Sequence, residues 1–215
     1  NKCVNRYKMS NKCPGMLYII AAPSGAGKTS LVRALLESEV NLATSVSYTT
    51  RPIRQGEQDG FDYHFVGLEG FKKMIAEGGF LECAEVFDHH YGTSSVRVKE
   101  QLDKGLDVIL EIDWQGMRQI KRIISDCISI FVLPPSREAL EKRLRERKQD
   151  SDEIIERRMQ DAVSEMSHYP EFDFIVINDD FDVALADIKS IFRARHLSQA
   201  AQSARLTGLL SQLLR

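Results

Sequence analysis

The chain is short of everything that would mark it for a membrane, a disulfide scaffold or a nucleic acid. Its longest uncharged apolar stretches, residues 16–22 and 127–135, fall well below the ~20 residues that span a bilayer, so no transmembrane helix is expected. Its four cysteines, Cys3, Cys13, Cys83 and Cys127, include no CxxC pair and no Cys/His spacing suited to zinc, and a 215-residue chain needs no staples; they read as free thiols. An excess of one charge is also missing. The 29 Lys and Arg against 31 Asp and Glu leave a net charge of -2, which disfavours a polyanionic partner. Lys2, Arg6, Lys8 and Lys12 stand near the start without an apolar block behind them, so a secretory signal is lacking. The expected compartment is the cytoplasm, with residues 1–15 as a flexible leader. No internal repeat or low-complexity segment is visible.

What is present suits an ordinary globular protein. Hydrophobic residues at 43% and charged residues at 28% exclude a disordered or collagen-like chain, and the length fits one domain with insertions. Short β-branched or aromatic runs alternate with helix-period segments, the pattern of an α/β fold whose parallel strands are joined by crossing helices. Strands are expected at residues 17–22, 45–49, 108–113, 127–133 and 174–177, and a helix at 28–38. Residues 61–87 carry aromatic, glycine-punctuated short runs that look antiparallel, so a small subdomain is expected to interrupt the parallel pattern. Charge at i,i+4 spacing over 137–148 and a second helix from Asp152 toward His168 predict a helical hairpin of the kind that moves as a lid. Leu206, Leu209, Leu210 and Leu213 fall at helical spacing and are expected to pack on the body or on a second subunit.

The sharpest signal is Ala22-Pro23-Ser24-Gly25-Ala26-Gly27-Lys28-Thr29, placed after the first apolar strand and opening the first helix. Gly25 and Gly27 let backbone N–H groups turn inward around phosphate oxygens, and the helix N-terminus adds its partial positive charge. Lys28 is set to reach the terminal phosphates and Thr29 to offer a hydroxyl to magnesium. Ala22 stands where the usual pattern has its first glycine, and a small residue with ordinary backbone angles serves there. This is a cradle for a nucleoside triphosphate with Mg2+.

Two further clusters join it. Glu111 and Asp113 close an apolar run two residues apart, which a strand would project on one face beside the phosphate loop, where carboxylates hold magnesium directly or through water; a helix cap is the other role open to Asp113. Arg51 and Arg54 lie three apart in a loop, with the reach for a bidentate clamp on phosphate.

With Gly60-Phe61-Asp62-Tyr63-His64-Phe65, Phe80-Leu81-Glu82, Tyr91-Gly92-Thr93 and Ile112-Asp113-Trp114-Gln115-Gly116, the set resembles the guanylate kinase family over about residues 15–193. The resemblance implies a P-loop parallel sheet flanked by helices, over residues 16–47 and 94–215, with a GMP-binding insertion at about 48–93 and a helical lid at about 137–168. It implies that the γ-phosphoryl group of ATP passes to GMP. Ser24, Gly25, Ala26, Gly27, Lys28, Thr29 and Asn178 would bind ATP, with Asn178 lining the adenine site. Arg51, Arg54, Tyr63 and Tyr91, in a stretch that includes Glu57, would bind the phosphate of GMP, while Ser47, Glu82 and Thr93 address its guanine. Lys28, Asp113, Arg143, Arg147 and Arg158 would be catalytic, and Thr29 and Glu111 would serve the metal. Glu111 stands where the family often has aspartate, and Lys148 where it commonly has glycine. Partners would be small molecules, without nucleic acid or membrane, and the chain a monomer or a homo-oligomer through its C-terminal helix. Two other functions fit the phosphate loop less well: a related kinase acting on a ribose phosphate, which would lack Glu82, Tyr91 and Thr93, and a non-catalytic peptide-binding module, which would not need Lys28, Thr29 and Asp113.

Overall fold

The computed structural model describes residues 15–86, 88–146 and 151–215; the segment before Gly15, Arg147 and Lys148 lie outside them. In chain order the elements are β1 (Leu17–Ala21), α1 (Lys28–Ser38), β2 (Leu42–Thr44), β3 (Tyr48–Thr49), β4 (His64–Phe65), α2 (Leu68–Ala76), β5 (Phe80–Val86), β6 (His89–Ser94) and α3 (Ser95–Asp103). There follow β7 (Asp107–Glu111), α4 (Trp114–Ile123), β8 (Ile128–Leu133), α5 (Arg137–Glu146), α6 (Asp152–Met166), a 3-10 turn (Tyr169–Glu171), β9 (Phe174–Ile177), α7 (Phe181–His196), α8 (Gln199–Arg205) and α9 (Thr207–Leu213).

Five strands form a parallel sheet in the order β2-β7-β1-β8-β9. β1 runs apolar without alternation because helices cover both faces of the sheet. Leu17, Ile19 and Ala21 join Val98 of α3 and Met117 and Ile120 of α4 on one side. Tyr18 and Ile20 join Leu31 and Leu35 of α1 and Ile188 and Phe192 of α7 on the other, with the Tyr18 and Phe192 rings stacked at 3.8 Å. From β1 the chain passes through α1 to β2 on one side, and from β7 it crosses through α4 to β8 on the other. The carboxyl end of β1 is therefore a switch point, where a crevice opens for a ligand.

A second sheet, β4-β3-β6-β5, is antiparallel except for the β3–β4 pair. Of the strand expected at 45–49 only Tyr48–Thr49 forms, in the small sheet with β4 and β6, while Leu42–Thr44 just before it pairs with β7 in the parallel sheet. Ser45-Val46-Ser47 carries the chain across with an alternation that reads as strand. The strand expected at 108–113 ends at Glu111. The hairpin α5–α6 closes on its own apolar contact, Leu140, Leu144, Ile155, Met159 and Ala162. The C-terminal leucines are covered only in part, because a break at Leu206 splits the stretch into two short helices; Leu206 and Leu209 are half-buried and Leu213 is exposed.

Candidate active site

β1 ends at Ala21 and the chain turns through residues 22–27 into α1. The turn needs its glycines: Gly25 and Gly27 have φ of 92° and 94°, and Gly27 is the cap of α1. A Cβ at Gly27 would lie 2.3 Å from the side-chain nitrogen of Asn178. Ala22 keeps a negative φ, as its place in the pattern allows. No acidic residue lies in the first turn of α1, so the free N–H groups and partial positive charge there are left for an anion. Lys28 and Thr29 are its first two residues.

The hydroxyl of Thr29 donates to Oε2 of Glu111 at 3.1 Å, joining the phosphate loop to the end of the neighbouring strand. Hard oxygen donors in this pair suit magnesium. Among the described residues no three His, Cys, Asp or Glu side chains group to enclose a metal, so water and phosphate oxygens would complete its shell. Asp113 keeps the alternation past the end of β7, since Ile112 still packs with Val108 and Leu110 on the opposite side. It lies beyond the strand as the cap of α4, where Oδ1 accepts from Gly116 N–H at 2.9 Å and Oδ2 from the Gln115 amide at 3.2 Å. It therefore fills the helix-cap role that the sequence left open to it.

The small sheet gathers the other set. Glu82 and Thr93 face each other across β5 and β6, and Thr93 Oγ1 donates to Glu82 Oε1 at 2.6 Å. Both are buried, at 4% and 0% exposure. Burial pushes the Glu82 carboxyl up to about 7, against the Thr93 hydrogen bond that lowers it and with help from nearby Asp113. Arg51 is also buried; its guanidinium donates to both oxygens of Glu57, at 2.6 and 3.1 Å, and lies 5.4 Å from the Tyr63 ring centre. Glu57 further accepts from the Arg54 N–H, so this carboxylate sets the two arginines relative to each other. Tyr63 and Tyr91 meet edge to face at 5.8 Å, and burial raises the Tyr63 hydroxyl to about 12. Ser47, whose carbonyl accepts from His64 N–H, leads into the same sheet.

The hairpin lies over the phosphate loop. Arg143 donates to the Asn178 carbonyl at 2.9 Å, while its other terminal nitrogen is buried without a partner. Asn178 sends its own amide to the Ala26 carbonyl at 2.7 Å, so it supports the loop. Gly25, Gly27, Ser30, Arg143, Glu146, Asn178, Asp179 and Phe181 line a cleft of about 390 Å³. Arg158 is half-buried on α6.

Three features escaped the sequence. Glu165, two turns beyond Arg158 on α6, reaches toward Ser24 N–H and Lys28; burial raises it to about 7, Lys28 pulls it back, and Asp113 raises it further. The i,i+7 spacing from Arg158 was its only signal. Gln119 bonds the main chain of Cys83, and Gly116 abuts Glu82. At the end of the α5–α6 hairpin the Trp114 and His168 rings stack at 3.7 Å, with Arg118 over Trp114 at 4.5 Å and bonded to Glu171 at 2.6 Å.

The family model described as Guanylate kinase matches residues 15–195. Guanylate kinase of Alkalilimnicola ehrlichii is 55% identical, over 94% of this chain and 99% of its own length. That of Vibrio cholerae is 56% identical, over 93% and 98%. Among solved structures, guanylate kinase from Anaplasma phagocytophilum superimposes with a TM-score of 0.75 at 32% identity, covering 93% of this chain and 95% of that one.

Proposed function

Since this chain belongs to the guanylate kinase family, we infer that it transfers the γ-phosphoryl group of ATP to GMP, giving ADP and GDP. The observation that carries the choice of substrate is the buried Glu82–Thr93 pair, set across from the phosphate loop. Guanine presents an imino N–H and an exocyclic amine side by side, which one ionised carboxylate accepts together. Adenine offers a bare ring nitrogen in place of the imino proton, and a buried carboxylate left without donors is costly.

Phosphoryl transfer passes through a loose transition state whose negative charge is spread over the moving group, so the protein must position and neutralise. The N–H groups of residues 24–29 and the Lys28 ammonium hold the phosphates of ATP. Arg51, Arg54, Tyr63 and Tyr91 hold the phosphate of GMP, with Glu57 keeping the two arginines in register. The buried nitrogen of Arg143 would meet the transferring group, with Arg158 of α6 adding charge, and closure of the hairpin would keep water out. Thr29 and Glu111 would hold magnesium, which supplies positive charge between the phosphates. Asp113 orients α4 and lies near Glu82. No general base is required, since the attacking phosphate is already ionised.

Neither a ribose phosphate acceptor nor a non-catalytic module has an observation in its favour. A coupled assay of ADP release over GMP, dGMP, AMP, CMP, UMP and ribose phosphates tests the assignment. Turnover with GMP at least ~10⁴-fold more efficient than with AMP is the expected result, and a ribose phosphate outrunning GMP would overturn it.

A further inference from the structure

β5 is the outer strand of the small sheet, paired with β6 along one edge only. Its free edge is met by a side chain. Gln119 of α4 accepts from Cys83 N–H at 3.1 Å and donates to the Cys83 carbonyl at 2.7 Å. A carboxamide carries the same donor and acceptor as a peptide unit, so Gln119 closes a two-point ring as a neighbouring strand would. The clamp falls on the residue that follows Glu82.

One turn earlier on the same helix face stands Gly116. A Cβ built there would lie 2.7 Å from Glu82 Oε2, 3.2 Å from Glu82 Cδ and 3.1 Å from Ile112 Cδ1. The carboxylate has little room to yield, because its other oxygen is tied to Thr93 Oγ1 at 2.6 Å. Glu82 is thus fixed from three sides: the Thr93 hydroxyl across the strands, the bare Cα of Gly116 beneath it, and the main-chain clamp on Cys83 beside it. Glycine is a poorer helix former than alanine, and the place of Gly116 against the carboxylate accounts for it.

We propose that Gly116 and Gln119 are specificity-determining positioning residues, which hold the Glu82 carboxylate at the angle that meets the two donors of guanine. The proposal rests on Glu82 reading the base. A base-reading carboxylate must be held to within a fraction of an ångström, and neither the Thr93 bond nor the strand pairing alone prevents β5 from shifting along α4.

The test uses GMP against inosine monophosphate, which keeps the imino donor but lacks the exocyclic amine. Specificity constants for both are measured in the wild type, Gly116→Ala, Gln119→Met, Glu82→Gln and the double variant Gly116→Ala/Glu82→Gln, with folding checked by circular dichroism. Gln119→Met keeps length and removes both hydrogen bonds, and Gln119→Glu keeps only the acceptor toward Cys83 N–H, so one folded variant of this residue suffices. The ratio of GMP to inosine monophosphate efficiency is expected to fall about tenfold in Gly116→Ala and Gln119→Met through KM for GMP. KM for ATP should stay within about twofold, a split that mere loosening of the fold would not give. On the Glu82→Gln background, Gly116→Ala should leave the ratio where Glu82→Gln put it. An unchanged ratio in folded α4 variants, alongside a collapsed ratio in Glu82→Gln, overturns the positioning role. An unchanged ratio in Glu82→Gln itself overturns the reading beneath it.

Discussion

The side-chain amide of Asn178 donates to the carbonyl of Ala26 at 2.7 Å, across 152 positions of sequence. It closes the outer side of the phosphate loop, and Arg143 is bonded in turn to the Asn178 carbonyl. Replacing Asn178 by alanine leaves the buried Ala26 carbonyl unpaired. A loss of about 1–2 kcal/mol in unfolding free energy is expected, read from urea titration. KM for ATP should rise while KM for GMP holds. A variant of wild-type stability and unchanged ATP affinity would show that the bond contributes nothing.

Lys28 opens α1 and packs against no core cluster. Lys28→Ala should therefore leave thermal unfolding nearly unchanged and lower kcat by at least ~10²-fold, through lost charge opposite the moving phosphoryl group. Normal turnover in the folded variant would remove the phosphate loop from the chemistry.

Arg143 holds one carbonyl and keeps a second nitrogen buried without a partner. Such a nitrogen is costly until an anion reaches it. Arg143→Ala is expected to lower kcat by about 10- to 100-fold with little change in KM for GMP, the pattern of a contact made chiefly in the transition state. Steady-state kinetics with GMP varied at saturating ATP separate the two. A raised KM for GMP at unchanged kcat would place Arg143 in the other site.

Glu82 is a carboxyl whose folded value, about 7, lies above its ordinary 4.5. The folded protein therefore holds a proton that the unfolded chain gives up between these values, and stability falls as pH rises from about 4.5 through 7, by an amount on the order of 3 kcal/mol. Glu82→Gln should reduce the slope of that part of the stability–pH curve, leaving the share of Glu165, which burial also raises to about 7. In the wild type, KM for GMP should rise as pH falls below 7, because the proton must leave before guanine can donate; in Glu82→Gln only the titration of the nucleotide phosphate should remain. Identical pH profiles for the two proteins would contradict an ionisable base reader.

The strand–turn–helix around Lys28 was legible because buried parallel strands are continuous apolar runs and the glycine turn has its own chemistry. The helix from Asp152 was legible from period alone, and it begins where expected. Residues 45–49 misled because alternation says nothing about which sheet a strand joins. Asp113 was legible as a helix cap from its place just before α4. That Glu82 and Thr93 meet depended on the β5–β6 register, which includes a shift between Phe80 and Glu82 that no pattern reveals. Asn178 and Glu165 act on the phosphate loop from far along the chain; the resemblance named the first, while local pattern offered only helical spacing from Arg158 for the second.

The stack of Trp114 on His168 lies at the first turn of α4, and the Gln119 bonds to Cys83 lie farther along it. One ten-residue helix is thus fastened to the end of the α5–α6 hairpin and to the strand carrying Glu82. A tilt that carried Trp114 would carry Gln119 with it, because a helix transmits rotation along its length with little give. A nucleotide drawing on the α5–α6 hairpin and one settling against Glu82 would then act on the same rod.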